Sequence, residues 1–282
     1  MANARQTGGP PGQKLEAAVS EWLVPTLMTL GMALGATGAF FFATTRGALL
    51  VRALMPASND PARHVYPIYS NMRLMRLVDF QPVIAAILLF QYDRLVSIIT
   101  RRLRRLNLVD QDVMITSCAF GNVMSRVARA SVTAGAREVK VVDIIENELL
   151  HARRKMPEFA GQVSFAKDDA TALSVADASI RANVLFFLLH ELPHELKQQA
   201  LKEACRVLVP GGQLFLAEFH RPHSIVLRAL SWTYFKVFEP FGLALWSTHD
   251  PLAALEGLGM RCERRAVFFG NFQVIVATKP AA

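Results

Sequence analysis

The sequence predicts an α/β fold built on a mostly parallel sheet with helices on both faces, preceded by a helical segment suited to a membrane. Three observations predict it. From Asp112 onward, short apolar runs alternate with amphipathic helical stretches, the pattern of strands joined by helical crossovers. Between Glu21 and Arg46 there is no charged residue. With 52% of its 282 residues hydrophobic, the chain can bury one large α/β domain plus an appendage, which excludes disorder throughout.

Residues 1–21 read as a tail, because Gly8-Gly9-Pro10-Pro11-Gly12 and its neighbours cannot bury enough apolar surface to order themselves. Residues 22–45 predict a transmembrane helix, long enough to cross a hydrocarbon core of about 30 Å at about 1.5 Å per residue. Its Gly31, Gly35 and Gly38 are tolerated in such helices. The run is too long for a secretory signal and lacks the Arg-rich amphipathic stretch of a mitochondrial presequence. Arg46, Arg52, Arg63, Arg73 and Arg76 follow it, while Arg5 and Lys14 precede it beside Glu16 and Glu21. The positive-inside rule therefore places the C-terminal bulk of the chain in the cytoplasm. Residues 46–106 read as a helical linker. Within it, an apolar run from Val83 to Ile99 is broken by Asp93 and Arg94 and ends in Arg101, Arg102, Arg104 and Arg105. That pattern predicts an interfacial helix, each basic residue contributing about 1 kcal/mol near an anionic surface. A helix packed on the following domain with a solvated basic end is the alternative the pattern leaves open.

From residue 107 the chain reads as one domain. Strands are predicted at Val113–Cys118, Val139–Val142, Val163–Ala166, Ala182–Leu189 and Gln213–Glu218, and helices at Asn122–Ala130, Glu146–Arg154 and Glu195–Leu208. Such a sheet binds ligands at the carboxyl ends of its strands, so the residues just after each strand are the candidates. Asp143 follows the second and Asp169 the third; a carboxylate accepts hydrogen bonds from hydroxyls or amines, although helix caps and loop acids read the same way. His190-Glu191 follow the fourth. An imidazole there can move a proton, and its neighbour can orient it or hold a hard cation; a cap on the next helix is the competing reading. Glu218 and His220, two residues apart, can share a face and offer a carboxylate and an imidazole to a metal.

Other features bound the partners. Cys118, Cys205 and Cys262 are odd in number, widely spaced and in no CxxC pair, so neither a disulfide framework nor a zinc site is expected, and a reducing compartment fits. The net charge of +8 favours anionic partners. Nucleic acid is disfavoured, because the basic residues lie beside apolar helices instead of on an aromatic-interleaved face. The stretch from Ile225 to Trp246, with Trp232, Tyr234, Phe235, Phe238 and Phe241, can wall an isoprenoid tail or simply form core, and Arg221 and Lys236 could meet headgroups.

Asp143, Asp169-Ala170 and the run Glu203-Ala204-Cys205-Arg206-Val207-Leu208-Val209-Pro210-Gly211-Gly212 resemble the class I S-adenosylmethionine (SAM)-dependent methyltransferases, particularly their quinone-modifying branch. The resemblance implies a Rossmann-like SAM-binding domain over 107–282, with Asp143 on the ribose hydroxyls and Asp169 near the adenine amine. The cofactor loop departs from the family. Ile115 stands where the family has an acid, Ser117 and Ala119 stand at the first two glycine positions, and only Gly121 is retained. Glycine there permits positive φ and close approach of backbone to ligand. The small Ser117 and Ala119 still admit a cofactor, whereas the lost acid leaves its methionine amine unheld; a fold that binds nothing is the opposing reading. Cys118-Ala119-Phe120-Gly121-Asn122, residues 185–191, 218–222 and 238–241, and Phe268-Phe269-Gly270 are similar to the rhodoquinone biosynthesis (RquA) family. That resemblance implies conversion of the membrane lipid ubiquinone to rhodoquinone, with SAM as amino donor and manganese as a helper. By their placement after the fourth and fifth strands, His190, Glu191 and His220 are the catalytic candidates, and Glu218 and His220 the candidate metal ligands. Methyl transfer to a lipid or small aromatic acceptor remains open, as does a membrane-anchored scaffold that no longer holds SAM.

Overall fold

The computed structural model describes residues 72–237 and 239–281, and a helical stretch at 23, 25–32, 34, 35, 37 and 38. The predicted tail at 1–21, the rest of the 22–45 span, residues 46–71 and Phe238 lie outside the described residues. The chain divides into two units, Met1–Val51 and Arg52–Ala282. In the first, the described stretch is exposed along its length, with Leu23, Leu27, Met28, Leu30, Met32 and Leu34 open to solvent. No single described helix is long and apolar enough to cross a membrane.

The described part of the second unit opens with three helices, α1 (Met72–Val78), α2 (Gln81–Ile87) and α3 (Tyr92–Leu103). The apolar run read as one interfacial helix is in fact α2 and α3, meeting at 95°. Leu89 and Phe90 turn the chain between them with φ of 49° and 60°. On α3, Tyr92, Leu95, Val96, Ile99, Thr100 and Leu103 are buried. Their spacing of three and four residues puts them on one stripe. That stripe packs on α4 (Val123–Thr133), inside the same core as the sheet. Asp93 and Arg94, which interrupt the run in sequence, face solvent in the first turn, and Arg101, Arg102, Arg104 and Arg105 form an exposed end. Burial against the domain takes the apolar stripe of α3, the packing that the sequence pattern left open beside an interfacial helix.

Seven strands follow: β1 (Asp112–Thr116), β2 (Glu138–Asp143), β3 (Val163–Lys167), β4 (Ile180–Phe186), β5 (Leu208–Phe219), β6 (Arg261–Val267) and β7 (Phe272–Thr278). Their order is β3-β2-β1-β4-β5-β7-β6, and the first five run parallel. β7 is antiparallel to β5 and β6 to β7. α5 (Glu146–Lys155) and α6 (His194–Arg206) complete the crossovers. Every residue of β1 is buried. Val113 and Ile115 face the α3–α4 side and Met114 the α6 side, which is the alternation of a strand covered on both faces.

The sequence reading stopped at five strands. The β6–β7 hairpin escaped it because β6 reads Arg-Cys-Glu-Arg-Arg, the charged composition that protects a sheet edge. The predicted helix also ran two residues too far, since Leu208 opens β5. Beyond β5 lie α7 (Ile225–Val237), a 3-10 segment (Pro240–Trp246) and α8 (Pro251–Gly257), whose N-cap Asp250 accepts from Leu252 N at 3.3 Å.

Phe235 is fully buried, and a Cβ on Gly242 would stand 2.3 Å from its ring. Gly242→Ala should therefore lower stability by about 1–3 kcal/mol in denaturant melts. Gly257→Ala, which meets nothing within 4 Å at the end of α8, should be neutral or gain up to about 1 kcal/mol.

Candidate functional site

In an open α/β sheet the ligand crevice opens where the strand order reverses, here between β1 and β4. The loop after β1 turns immediately. Ser117, at the first predicted glycine position, has φ of +73° and donates its N–H to Val142 O at 2.8 Å. Cys118 N donates to Asp143 Oδ2 at 2.6 Å and Ile145 N to Asp143 Oδ1 at 2.7 Å. Asp143, buried at the end of β2, thus ties the loop to the neighbouring strand. Burial raises its pKa, partly countered by these two backbone donors. Glu148, buried one turn into α5, is raised well above the usual carboxyl range by burial and then by the charge of Asp143. The two carboxyls form a close pair, and burial raises both. Sequence reasoning missed Glu148, because an acid in the first turn of a helix reads as a dipole partner.

The remaining loop positions are held from outside. Gly121 has φ of +81°, and a Cβ there would lie 2.4 Å from the Tyr92 hydroxyl. Its N–H donates to the carboxylate of Asp79, which also lies 2.7 Å from His151 Nε2 and 2.8 Å from Lys155 Nζ. Ile115, at the position where the resemblance expects an acid, is buried within β1. The carboxylate that meets this loop therefore arrives from the turn between α1 and α2, and nothing in the local pattern around Asp79 signals it. Ala119 packs half-buried against the core. Asp169 sits after β3, its Oδ1 accepting from Thr171 N at 2.8 Å and Thr171 Oγ1 at 2.7 Å.

His190 occupies the turn after β4, across the switch point from the loop. Glu218 Oε2 accepts from Leu189 N at 2.9 Å and His190 N at 3.3 Å, while Oε1 accepts from Phe219 N at 2.8 Å. His190 Nδ1 lies 3.1 Å from Oε1. This pairing sets the tautomer with the proton on Nδ1 and leaves Nε2 on the side of Glu191, 4.0 Å away. Phe187 and Phe219 meet the ring edge-on. Burial pulls the imidazole pKa down, but the charge and hydrogen bond of Glu218, with Glu239 and Glu191, carry it up to about 9. The ring thus holds its proton through the neutral range. His190, Glu191 and Glu239 each offer one ligand atom, all within 4.8 Å of one another.

Glu218 and His220 do not come together as predicted. The strand ends at Phe219, so the two-residue alternation stops before His220. Glu218 is turned inward with its acceptors filled, whereas His220 Nδ1 lies 2.8 Å from Gly270 O and its Nε2 3.4 Å from Arg264 Nη1. Burial first, and Arg264 with it, lowers the His220 pKa. Among the described residues, the grouping able to hold a cation is instead His190, Glu191 and Glu239. Glu239 was not singled out in the sequence, as it lies 48 positions beyond Glu191 in an aromatic stretch.

Residues 113–212 match a family model described as a methyltransferase domain. An O-methyltransferase family protein from Burkholderia thailandensis is similar in structure over 76% of this chain and 62% of its own, with a TM-score of 0.57 and 13% identity. The domain has the class I methyltransferase fold. The magnesium protoporphyrin IX methyltransferase of Synechocystis PCC 6803, solved with bound SAH, is similar over 85% of this chain and 96% of its own, with a TM-score of 0.51 and 16% identity. The ubiquinone/menaquinone biosynthesis C-methyltransferase UbiE of Ectopseudomonas mendocina is 33% identical over 113 residues, 39% of this chain and 43% of that protein. The chain spans less than half the length of the curated relatives it matches first. The matched stretch holds the loop, Asp143, Asp169 and His190, while Glu218, Glu239 and α7 lie beyond it.

Two outcomes follow from the geometry. The His190 imidazole should titrate near pH 9 by NMR, and Glu218→Gln should move it down by at least about one unit, because a neutral amide removes the charge that favours imidazolium. The folded-state pKa exceeds the ordinary 6.5, so the pair's stabilisation is complete below about pH 6.5 and is lost as pH rises through about 9. Ser117→Gly, which removes a side chain from a left-handed position, should raise stability by about 1 kcal/mol in thermal melts.

Proposed function

We propose that this domain uses SAM to modify a membrane quinone, and that its reaction is the conversion of ubiquinone to rhodoquinone, with SAM as amino donor. The observation that carries this reading is the Glu218-held His190, beside Glu191 and Glu239, facing a loop rewritten at Ile115, Ser117 and Ala119. The quinone is supported by the names of the relatives, which place them in ubiquinone and menaquinone biosynthesis. SAM is supported by the class I fold and by the chemistry of Asp143 and Asp169, acids at the ends of adjacent strands that suit ribose hydroxyls and an adenine amine. Bound there, SAM would supply the transferred group.

The chain's own residues divide the work. Ser117, Ala119 and Gly121 shape the loop, and Asp143 braces it. His190, protonated near neutrality, holds a proton toward a ring oxygen, which draws electron density from the ring carbon where the incoming amino group displaces methoxide, and the proton that the amine loses leaves with it as methanol. Its Nε2 and the two carboxylates also fit a divalent cation such as manganese, with Glu218 as the carboxylate that orients the ligating imidazole. Such an ion would polarise the same oxygen in place of the proton. The charge-free span at 22–45 supports a membrane location with the domain facing the cytoplasm.

Methyl transfer is the second reading, favoured because the matched relatives carry the name C-methyltransferase. Mass-spectrometric quinone profiles of cells with and without the gene separate the two. Rhodoquinone present only with the gene supports amino transfer; a methylated quinone with S-adenosylhomocysteine and no aminoquinone refutes it in favour of methylation. Asp143→Ala should weaken SAM binding about 10- to 100-fold in calorimetry, as expected for loss of a charged hydrogen-bond acceptor. If neither the native protein nor that variant binds SAM, both enzymatic readings fail and a scaffold remains.

A further inference from the structure

A concave site lies outside the His190 centre. Where the chain leaves β5, a cavity of about 360 Å³ is lined by His220, Arg221, Arg228, Trp246, Asp250 and Arg264, among others. Three guanidinium groups face one carboxylate. Arg264 pairs with Asp250, and Arg228 donates to Pro222 O at 3.1 Å, so both are fixed in place. Arg221 is exposed and makes no hydrogen bond or ion pair among the described residues. Arg264 Nε and Trp246 Nε1 are buried donors that meet no acceptor. A cavity lined by three guanidinium groups and one carboxylate carries surplus positive charge and is complementary to an anion with several oxygens, of which phosphate is the commonest.

The surface beside this cavity is apolar and open. α7 turns Ile225, Val226, Leu230 and Trp232 outward, from 50% to 78% exposed. At 100° per residue these positions, with Ala229 and Lys236, fall on one continuous face. Phe269, 68% exposed at the β6–β7 turn, joins it, because its carbonyl accepts from His223 N just before α7. Lys236 Nζ stands 5.7 Å over the Trp232 ring. An outward apolar helix face with a tryptophan, bordered by cations, suits the boundary between headgroups and acyl chains. Charge complementarity favours an anionic lipid over a protein partner: the guanidinium groups of Arg221, Arg228 and Arg264 line a cavity at the edge of the apolar face.

We propose that α7 and Phe269 seat in the headgroup layer of an anionic membrane, with a lipid phosphate received by Arg221 and Arg264 in the adjoining cavity. This surface is independent of the reaction assigned above and of the 22–45 span, and it would bring the mouth of the domain to a bilayer by a second contact.

The test uses the full chain in lipid nanodiscs, with an environment-sensitive nitrobenzoxadiazole label on Ala229→Cys and Cys262→Ser removing the half-buried native thiol. In discs containing phosphatidylglycerol, the label should shift to the blue and be quenched by brominated acyl chains; in phosphatidylcholine discs it should stay in water. Arg221→Ala and Lys236→Ala should each lower the embedded fraction about fivefold, with circular dichroism showing an unchanged fold. The proposal is overturned if the label stays in water in anionic discs, or embeds equally in phosphatidylcholine. It is also overturned if label protection grows with protein concentration, which marks a second copy as the occupant. A thermal shift with inorganic phosphate, while the label remains in water, assigns the cavity to free phosphate and overturns the lipid.

Discussion

The arrangement of the candidate site depends on one buried carboxylate. Glu218 is fully shielded from water at the end of β5, where an unpaired charge would cost several kcal/mol. It is tolerated because Leu189 N, His190 N, Phe219 N and the His190 ring all converge on it. Three of them, Leu189 N, His190 N and the His190 ring, belong to the turn after β4, whose backbone is bent by a left-handed Phe187, and Phe219 N belongs to the end of β5. The same carboxylate therefore closes the turn, orients the imidazole and holds it charged. Glu191 and Glu239 become neighbours of His190 only because this turn is closed.

The cofactor loop follows a related logic. In place of glycines and a local acid, its conformation is maintained by groups from other elements: Asp143 on the Cys118 amide, Asp79 on the Gly121 amide, and Tyr92 against the bare Cα of Gly121. Ser117 accepts a left-handed conformation that its side chain disfavours. Such strain persists where surrounding contacts over-determine the backbone. The helices before β1 are thus part of the site's construction, since both Asp79 and Tyr92 come from them.

The aromatic stretch after β5 divides between two environments. Phe235 and Leu245 are buried in the core, while Trp232, Leu230 and Ile225 are turned to the outside of α7. Composition could not separate these fates, because both halves read as apolar. The 3.6-residue period assigns them, once packing decides which side of the helix meets the sheet.

What the sequence by itself determined is the alternating α/β order, the five parallel strands, and the positions of Asp143, Asp169 and His190 at strand ends. These are local properties: apolar periodicity, strand length and the residue that follows each strand. The tertiary structure decided the rest. Whether Val83–Ile99 met lipid or core depended on a partner face supplied by α4 and the sheet. The pairing of Glu218 with His190, instead of His220, depended on where β5 ended. The convergence of Glu239 on His190, and of Asp79 on the loop, joins residues distant in the chain, and no local pattern carries such a contact. Side-chain type and period are written residue by residue, whereas a site's geometry exists only after separate elements are packed and their buried polar groups have found one another.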